Sequence, residues 1–197
     1  MKKKFLLVTI VAVLIGTGVG IGVYLATRPS GPAVELALKT NDLGSGWKAG
    51  SFNSHYEGRT INQQFSKTIQ VEDNIQLRMA AYQSIAVYPS TEAAIEDTYL
   101  SSARQSSPDP MDMPFWDEAY GSCPRVTDTA ITLRKSNIVV ILYYEHLLIP
   151  TDPLLEMVGI PPEKEAEIDS QQKEVMWNFL CDLAQVIQGK IVETGGG

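Results

Sequence analysis

The hydrophobic positions of this chain fall into one long uncharged run near the start and several shorter patterned segments after it. The run, FLLVTIVAVLIGTGVGIGVYLA, covers residues 5–26 without a charged side chain. As a helix it would be about 33 Å long, enough to cross the roughly 30 Å hydrocarbon core of a bilayer. Residues 5–26 are therefore predicted to form one N-terminal transmembrane helix.

The segments that flank this run predict its orientation. Residues 1–4 include three lysines, and positive charge favours the cytoplasmic side, so the body is expected outside the cytoplasm. Residues 27–34 contain prolines and a glycine and predict a linker. A domain over 35–192 and a flexible tail over 193–197 are expected to follow. The protein is therefore interpreted as a single-pass protein of the cell membrane.

A cleaved signal peptide, which would release a secreted protein, is the alternative. Its apolar region is typically about 7–15 residues long, shorter than the run here. Cleavage after Ala26 would also place the bulky Tyr24 where a small residue is needed. An uncleaved signal anchor is therefore favoured over a leader peptide.

Four alternate glycines, Gly16, Gly18, Gly20 and Gly22, lie within the run. They do not form a dinucleotide loop, because the third glycine of G-x-G-x-x-G falls on Ile21, and no lysine completes a Walker loop. They do form two overlapping G-x-x-x-G pairs, which allow two membrane helices to approach closely. The alternative is that these glycines reflect only the ordinary composition of membrane spans.

Period-2 and helical patterns divide the body into elements. Residues 75–88 alternate as a strand, with Gln83 the one polar residue on its apolar face and Arg78 and Tyr82 on the other. The remaining predictions are a short helix ending near 41–44, a strand near 50–56 followed by a short helix or loop, a helix over 88–105, a hairpin of 125–134 and 138–146, and a helix over 163–188 stopped by Gly189. The apolar run 138–144 predicts a strand covered on both faces.

This order of elements predicts an α+β fold. The expected architecture is a mainly antiparallel sheet flanked by helices in an α/β/α-like sandwich, preceded by the membrane helix. The buried stripe of the last helix is expected to comprise Met176, Phe179, Leu180, Leu183 and Ile187.

The net charge of the body limits the partners that it is expected to bind. The whole chain has a net charge of −7, and residues 1–32 hold four of its 16 basic side chains and no acid. The remainder therefore carries 12 basic against 23 acidic side chains, a net of −11. So acidic a surface excludes nucleic acid as an expected partner.

The sequence contains no catalytic signature. His55 and His146 are isolated, and neither H-E-x-x-H nor G-x-S-x-G occurs. Asp117, Glu118 and His146 are the only candidates for a hydrolase built from dispersed loops. The acidic group of Asp109, Asp112, Asp117 and Glu118 lacks the EF-hand pattern and is interpreted as a solvated loop. No catalytic, cofactor-binding or metal-binding residue is assigned, and no cofactor is expected.

Two cysteines, Cys123 and Cys181, form a candidate disulfide if the body lies in an oxidising compartment. Two buried free thiols are the alternative.

Two proline-containing loops carry apolar side chains. In the first, Met111, Met113, Phe115 and Trp116 are expected to fold back onto the core. The second contains Leu154, Leu155, Met157, Val158 and Ile160. These five either pack against the core, which is the simpler expectation, or stay outside and form a partner-binding loop.

Four short segments, LGSGW at 43–47, VYPSTEAA at 87–94, DEAYG at 117–121 and LRKSNIVVIL at 133–142, together resemble a known pattern. The chain resembles secreted domains with the Mog1/PsbP-like fold, which include LpqN-type lipoproteins and the sensor domain of PknH-type kinases. The resemblance covers most of 35–191 and implies a sandwich with an antiparallel sheet and a binding or accessory role. It implies no active-site residue.

The sequence therefore predicts a membrane-anchored extracytoplasmic binding or accessory domain without catalytic activity. Its partner would be an unidentified small ligand or protein. The alternatives are an assembly subunit of a larger membrane complex and an extracytoplasmic hydrolase with dispersed loop residues.

Overall fold

The computed structural model describes residues 30–107, 110–122 and 127–195, together with the backbone of 123–125. The described part of the chain contains five α-helices, one 3-10 helix and six strands. In chain order these are α1 (Pro32–Leu36), the 3-10 helix (Thr40–Leu43), β1 (Lys48–His55), β2 (Thr60–Glu72), β3 (Ile75–Val87), α2 (Thr91–Ile95), α3 (Thr98–Ser106), β4 (Glu118–Arg125), β5 (Asp128–Lys135), β6 (Ile138–Pro150), α4 (Pro153–Val158) and α5 (Pro162–Glu193).

The six described strands form one sheet in the order β1-β2-β3-β6-β5-β4, and every neighbouring pair is antiparallel. Both β2–β3 and β5–β6 are hairpins with two-residue connections. The prediction of an α+β protein with a mainly antiparallel sheet is confirmed. The predicted hairpin around residues 135–137 is also present, with Ser136 at a positive φ of 52° in its turn.

The core lies between one face of the sheet and the helices α1 and α5. Trp47 is buried there, and its ring stacks on Phe179 with centroids 5.2 Å apart. The predicted stripe of α5 faces this core: Phe179 is half-buried, and the other four members are buried. We call this side of the sheet the helix-covered face. Its fully buried strand residues include Ile61, Phe65, Leu77, Ile85, Ile131, Leu133, Val140 and Leu142.

Gln83 explains the polar exception in the period-2 pattern of β3. It is 2% exposed, and its side-chain oxygen accepts a hydrogen bond from Leu38 N at 2.9 Å. Its Nε2 donates to Leu38 O at 3.2 Å and to Gln63 Oε1 at 2.8 Å. Gln83 therefore supplies the buried backbone N–H and C=O of Leu38, just after α1, with the two hydrogen bonds that a neighbouring strand would otherwise provide.

Several local predictions were wrong. The segment after β1 is the 13-residue strand β2, where a short helix or loop was expected. The expected single helix over 88–105 is two helices, because Asp97 accepts a hydrogen bond from Leu100 N and starts α3 with a new N-cap. The last helix continues through Gly189 to Glu193, so that glycine does not stop it.

The strand β6 is covered on both faces only where it begins. Val139 is buried near α2, which packs on β6, whereas Ile141 and Tyr143 are half-exposed. The prediction of a strand covered on both faces along 138–144 is therefore wrong beyond Val140. The expected loop after this strand is also partly structured, since it contains α4.

The predicted transmembrane helix over 5–26 lies outside the described residues. None of the helices within residues 30–195 combines the length and apolarity needed to cross a membrane. The compact unit begins at Gly31, and Ala33 is fully buried, so the chain already packs within the predicted linker over 27–34.

Candidate functional site

The candidate site lies on the sheet surface opposite the helix-covered face. The helices α2 and α3 pack over β4–β6 near the β5–β6 turn, with Ala94 and Leu100 fully buried. The rest of this surface carries polar side chains of β2, β3, β5 and β6. We call this part the open face; Gln64, Arg78, Tyr82, Tyr143 and Glu145 lie on it.

A cleft of about 380 Å³ crosses the middle of the open face. Its floor is a row of residues in register across the strands: Ser66 pairs with Ala80, Ala80 with Glu145, and Glu145 with Asp128. The first two side chains are short and the rows on either side are long, which produces the depression. A smaller recess of about 150 Å³ lies beside it over the central strands and shares the lining residues Gln64 and Tyr82.

Glu145 is the centre of the hydrogen bonds in this cleft. Tyr82 Oη donates to Glu145 Oε1 at 2.8 Å, and Tyr143 Oη donates to Oε2 at 3.3 Å. Gln64 Nε2 donates in turn to Tyr82 Oη at 3.1 Å. The two tyrosine rings pack against each other with centroids 5.6 Å apart and a tilt of 52°. These contacts fix the carboxylate at one end of the floor.

The two phenols remain hydrogen-bond donors at neutral pH. Burial and the hydrogen bond to Glu145 raise the pKa of Tyr82 to about 12, although the nearby charge of Arg78 opposes that rise. Burial and then the neighbouring carboxylates, Asp128 before Glu145, also raise the pKa of Tyr143 above its usual range. A phenol that donates to a carboxylate loses this interaction on ionising, which explains both directions.

Arg78 occupies the opposite side of the cleft. It lies in the row that pairs with Leu147 across β6, and both side chains are exposed. Within the part of the chain that the structure describes, its guanidinium makes no hydrogen bond or ion pair. The lining therefore offers a cation at one side, carboxylates at the other, and amide and hydroxyl groups between them.

The three residues considered for a dispersed hydrolase are not brought together. Glu118 pairs with Arg134, which pairs with Val139, and His146 lies seven residues further along β6. That is about 23 Å along the strand. The side chain of His146 also points to the helix-covered face, where Nε2 lies 2.8 Å from Asp169 Oδ1 and the residue is buried.

Asp117 and Glu118 are part of an ion-pair network that fixes α3 to the sheet. Glu118 binds Arg104 Nε and Arg134 Nε, each at 2.6 Å, and Asp117 binds Lys135 Nζ at 3.0 Å. These contacts, Arg104 first, lower the pKa of Glu118 to about 2. The interpretation as a solvated loop is therefore wrong for Glu118, which is half-buried at the start of β4. Asp112 and Asp117 are exposed residues of the loop before β4, as predicted, and Asp109 lies outside the described residues.

Among the described residues, no three His, Cys, Asp or Glu side chains are grouped so as to hold a metal ion.

The two apolar loops behave differently. Trp116 is buried, and Met111, Met113 and Phe115 pack against the core, so that prediction is confirmed. In α4 and its flanks, Leu154 is 71% exposed, Met157 83% and Val158 79%, whereas Leu155 and Ile160 are half-buried. Packing against the core is therefore wrong for the first three. Their partner-binding role stays a prediction.

The remaining predicted residues are not decided by the structure. Gly16, Gly18, Gly20 and Gly22 lie outside the described residues, as does the side chain of Cys123. Cys181 is half-buried on α5, and burial raises the pKa of its thiol. The Cys123–Cys181 disulfide stays a prediction.

The cleft residues were not proposed as a site from the sequence. The signal that could have found them is the second face of β3, where Arg78 and Tyr82 alternate with the buried residues. Comparison of the chain with protein-family models, curated proteins and solved structures gives no match. The Mog1/PsbP-like resemblance therefore stays a prediction.

Proposed function

We propose that this chain is a single-pass, membrane-anchored protein whose extracytoplasmic domain binds a small polar ligand in the cleft of the open face. The domain is proposed to be an α/β/α-like sandwich with a binding or accessory role and no catalytic activity. The cleft is the observation that supports this role, because it combines about 380 Å³ of space with convergent donors and acceptors. The resemblance to Mog1/PsbP-like secreted domains implies the same kind of role.

The chemistry of the cleft favours binding over catalysis. Its phenols have raised pKa values and donate to Glu145, so neither is an activated nucleophile or base. Enzymatic general bases instead have pKa values near the working pH. Fixed donors and acceptors of this kind orient a ligand without reacting with it.

The ligand-binding role can be tested by filling the cleft. Ala80→Trp places a large ring over the floor, and Gln105→Trp adds the same ring at an exposed position of α3. Pools of amino acids, sugars, organic acids and amines would be titrated into the labelled protein and followed by NMR. We expect one pool to shift resonances of the cleft in the wild type and in Gln105→Trp, but not in Ala80→Trp. Lack of binding by every pool, or equal binding by Ala80→Trp, would refute the role.

The membrane anchor requires a separate test. Alkaline carbonate extraction of membranes should leave the full chain in the pellet, because residues 5–26 would be integrated in the bilayer. Protease added to intact cells from outside should digest the body. Recovery of a shortened chain in the medium would instead support the secreted alternative.

Exposed apolar side chains on α4 favour a second role, as an assembly subunit. Leu154, Met157 and Val158 lie at positions i, i+3 and i+4 of the short helix α4 and are mostly solvent-exposed. Replacement of all three by serine should then release a co-purifying partner in mild detergent. A monodisperse monomer, unchanged by the replacement, would refute this role.

A further inference from the structure

The exposed apolar side chains of α4 form one continuous patch. Leu154, Met157 and Val158 have the spacing that a helix places on a single face. Each of them is at least 71% exposed. We call these three residues the α4 patch. Neighbouring large apolar side chains with this exposure mark an interaction surface, whereas single scattered ones do not.

The helix that carries the α4 patch is ordered by its own end contacts. At its start, the side chain of Asp152 accepts a hydrogen bond from Leu154 N–H at 2.7 Å. At its end, Gly159 N–H donates to Leu155 O at 2.8 Å. Leu155 and Ile160 are half-buried next to the patch. A surface that is already ordered loses little conformational entropy when a partner binds to it.

Acidic side chains border the α4 patch on two sides. The turn between β2 and β3 lies next to the start of α4, because Thr151 N–H donates to Asn74 O at 2.8 Å. A shallow depression at this place is lined by Glu72, Asp73, Asn74 and Asp152. On the other side, the first turns of α5 carry three exposed acids, Glu163, Glu165 and Glu167. Glu156 lies on α4 itself and is also exposed.

This border is more acidic than the body as a whole. Residues 147–168 contain five acids and one base, Lys164, whereas the chain after residue 32 has 23 acids and 12 bases in all. Lys164 forms ion pairs with Glu72 and with Glu167. Charges across a protein interface are arranged so that opposite signs meet. The partner that fits this border therefore carries basic side chains around its apolar contact.

The α4 patch lies at the opposite end of the sheet from the N-terminal segment. Ala33, near the point where that segment joins the body, donates to Gly58 O in the β1–β2 turn. The helix α4 follows Pro150, which pairs with Ile75 just after the β2–β3 turn. The 13 residues of β2 connect the two turns and span about 40 Å. The predicted membrane helix is therefore joined to the body about 40 Å from the patch.

Charge distinguishes the possible occupants of the α4 patch. A bilayer surface with anionic lipids attracts basic segments, and the acidic border would oppose its approach. A second copy of this chain would bring two acidic borders together, which is also unfavourable. A different protein with an apolar centre and a basic rim matches both the patch and its border.

We infer that the α4 patch docks a second, different protein whose contact surface has an apolar centre surrounded by lysine or arginine side chains. Apolar side chains of that protein cover Leu154, Met157 and Val158, and one of its basic side chains enters the depression between Asp73 and Asp152. This inference rests on the assembly-subunit role proposed above and names the chemistry of the partner.

Photo-crosslinking in the cells that naturally produce the chain would identify the occupant. A benzophenone amino acid would replace Met157 in the full chain, and Val192, another exposed apolar residue of a helix, is the control position. We expect an adduct with one other protein from position 157 and no such adduct from position 192. An adduct with lipid, an adduct with a second copy, or no adduct at position 157 would overturn the inference.

The chemistry of the contact would then be measured with the crosslinked protein in purified form. Asp73→Lys combined with Glu156→Lys reverses two charges of the border, and Glu35→Lys combined with Glu96→Lys reverses two exposed charges elsewhere. The first pair should weaken binding to the full chain at least tenfold, and the second should leave the affinity unchanged. Unchanged circular dichroism would show that both variants are folded. Added salt should weaken binding by the wild type.

The failures of the inference and of the assembly role can be told apart. If reversal of the border charges leaves the affinity unchanged or raises it, the inference is wrong. The assembly role then still holds, provided that replacement of the three patch residues by serine releases the partner. If position 157 gives no protein adduct and the serine replacement releases nothing, the assembly role fails as well.

Discussion

Replacing Gln83 by leucine should destabilise the protein by about 3 kcal/mol. The change leaves Leu38 N–H and Leu38 C=O without a partner in the core, where this residue is 1% exposed. Each buried backbone group left unpaired costs about 1–3 kcal/mol. The additional apolar surface of leucine offsets about 1 kcal/mol of that sum. Gln63 also loses a bond, but it is half-buried and can turn to water.

Urea denaturation followed by tryptophan fluorescence would measure this loss, since Trp47 is buried beside α5. A loss of this size lowers the melting temperature by roughly 6–12 °C in a domain of this length. Gln63→Leu is the matched control, because it removes only the bond between the two glutamines and should cost no more than about 1 kcal/mol. A loss below 1 kcal/mol in Gln83→Leu, or an equal loss in the control, would refute the reasoning.

Three further changes test other parts of the fold. Because the pKa of folded Glu118 is about 2, its ion pairs contribute fully to the free energy of unfolding above about pH 4.5 and lose that contribution as the pH falls towards 2. Glu118→Gln should therefore lower the free energy of unfolding by up to about 3 kcal/mol at pH 7 and weaken the dependence of the urea midpoint on pH over that range. Gly121→Ala would place a Cβ 2.2 Å from Trp177 Cη2 and should cost about 1–3 kcal/mol, with partial recovery on adding Trp177→Leu; full stability of the single variant would contradict this. In Gly189→Ala the added Cβ has no atom within 4 Å and lies inside α5, so the change should stabilise the protein by about 0.5–1 kcal/mol and raise the urea midpoint. A lower midpoint would contradict this.

Apolar periodicity was sufficient to predict strands with one almost entirely apolar face, and it failed where several polar residues interrupt that face. The strand β3 alternates so regularly that its limits were predictable almost to the residue. In β2 the open face is polar, and the covered face includes Gln63 and Lys67. Only Ile61 and Phe65 are buried in its 13 residues, which is too weak a signal to distinguish a strand from a loop.

The candidate site is formed by residues from different strands, and their pairing cannot be predicted from the pattern of one segment. One side of the cleft was visible in sequence as the polar face of β3. The other side depends on the pairing of Tyr82 with Tyr143 and of Ala80 with Glu145. That register follows from the packing of β6 next to β3, about 60 residues apart in the chain, a spacing that local patterns do not encode. The ion pair of Glu118 with Arg104 was hidden because it depends on the packing of α3 against β4, which local patterns do not encode either.

The hydrogen bonds of Gln83 have a mechanical consequence. Any tension on the residues before Gly31 enters the body through α1, and Gln83 links the end of that helix to β3, a central strand of the sheet. Ala33 N also donates to Gly58 O in the β1–β2 turn at 2.9 Å. A pull on the N-terminus is therefore transmitted both to the middle of the sheet and to its edge hairpin, and along the chain it reaches the Gln83 link before it reaches β1.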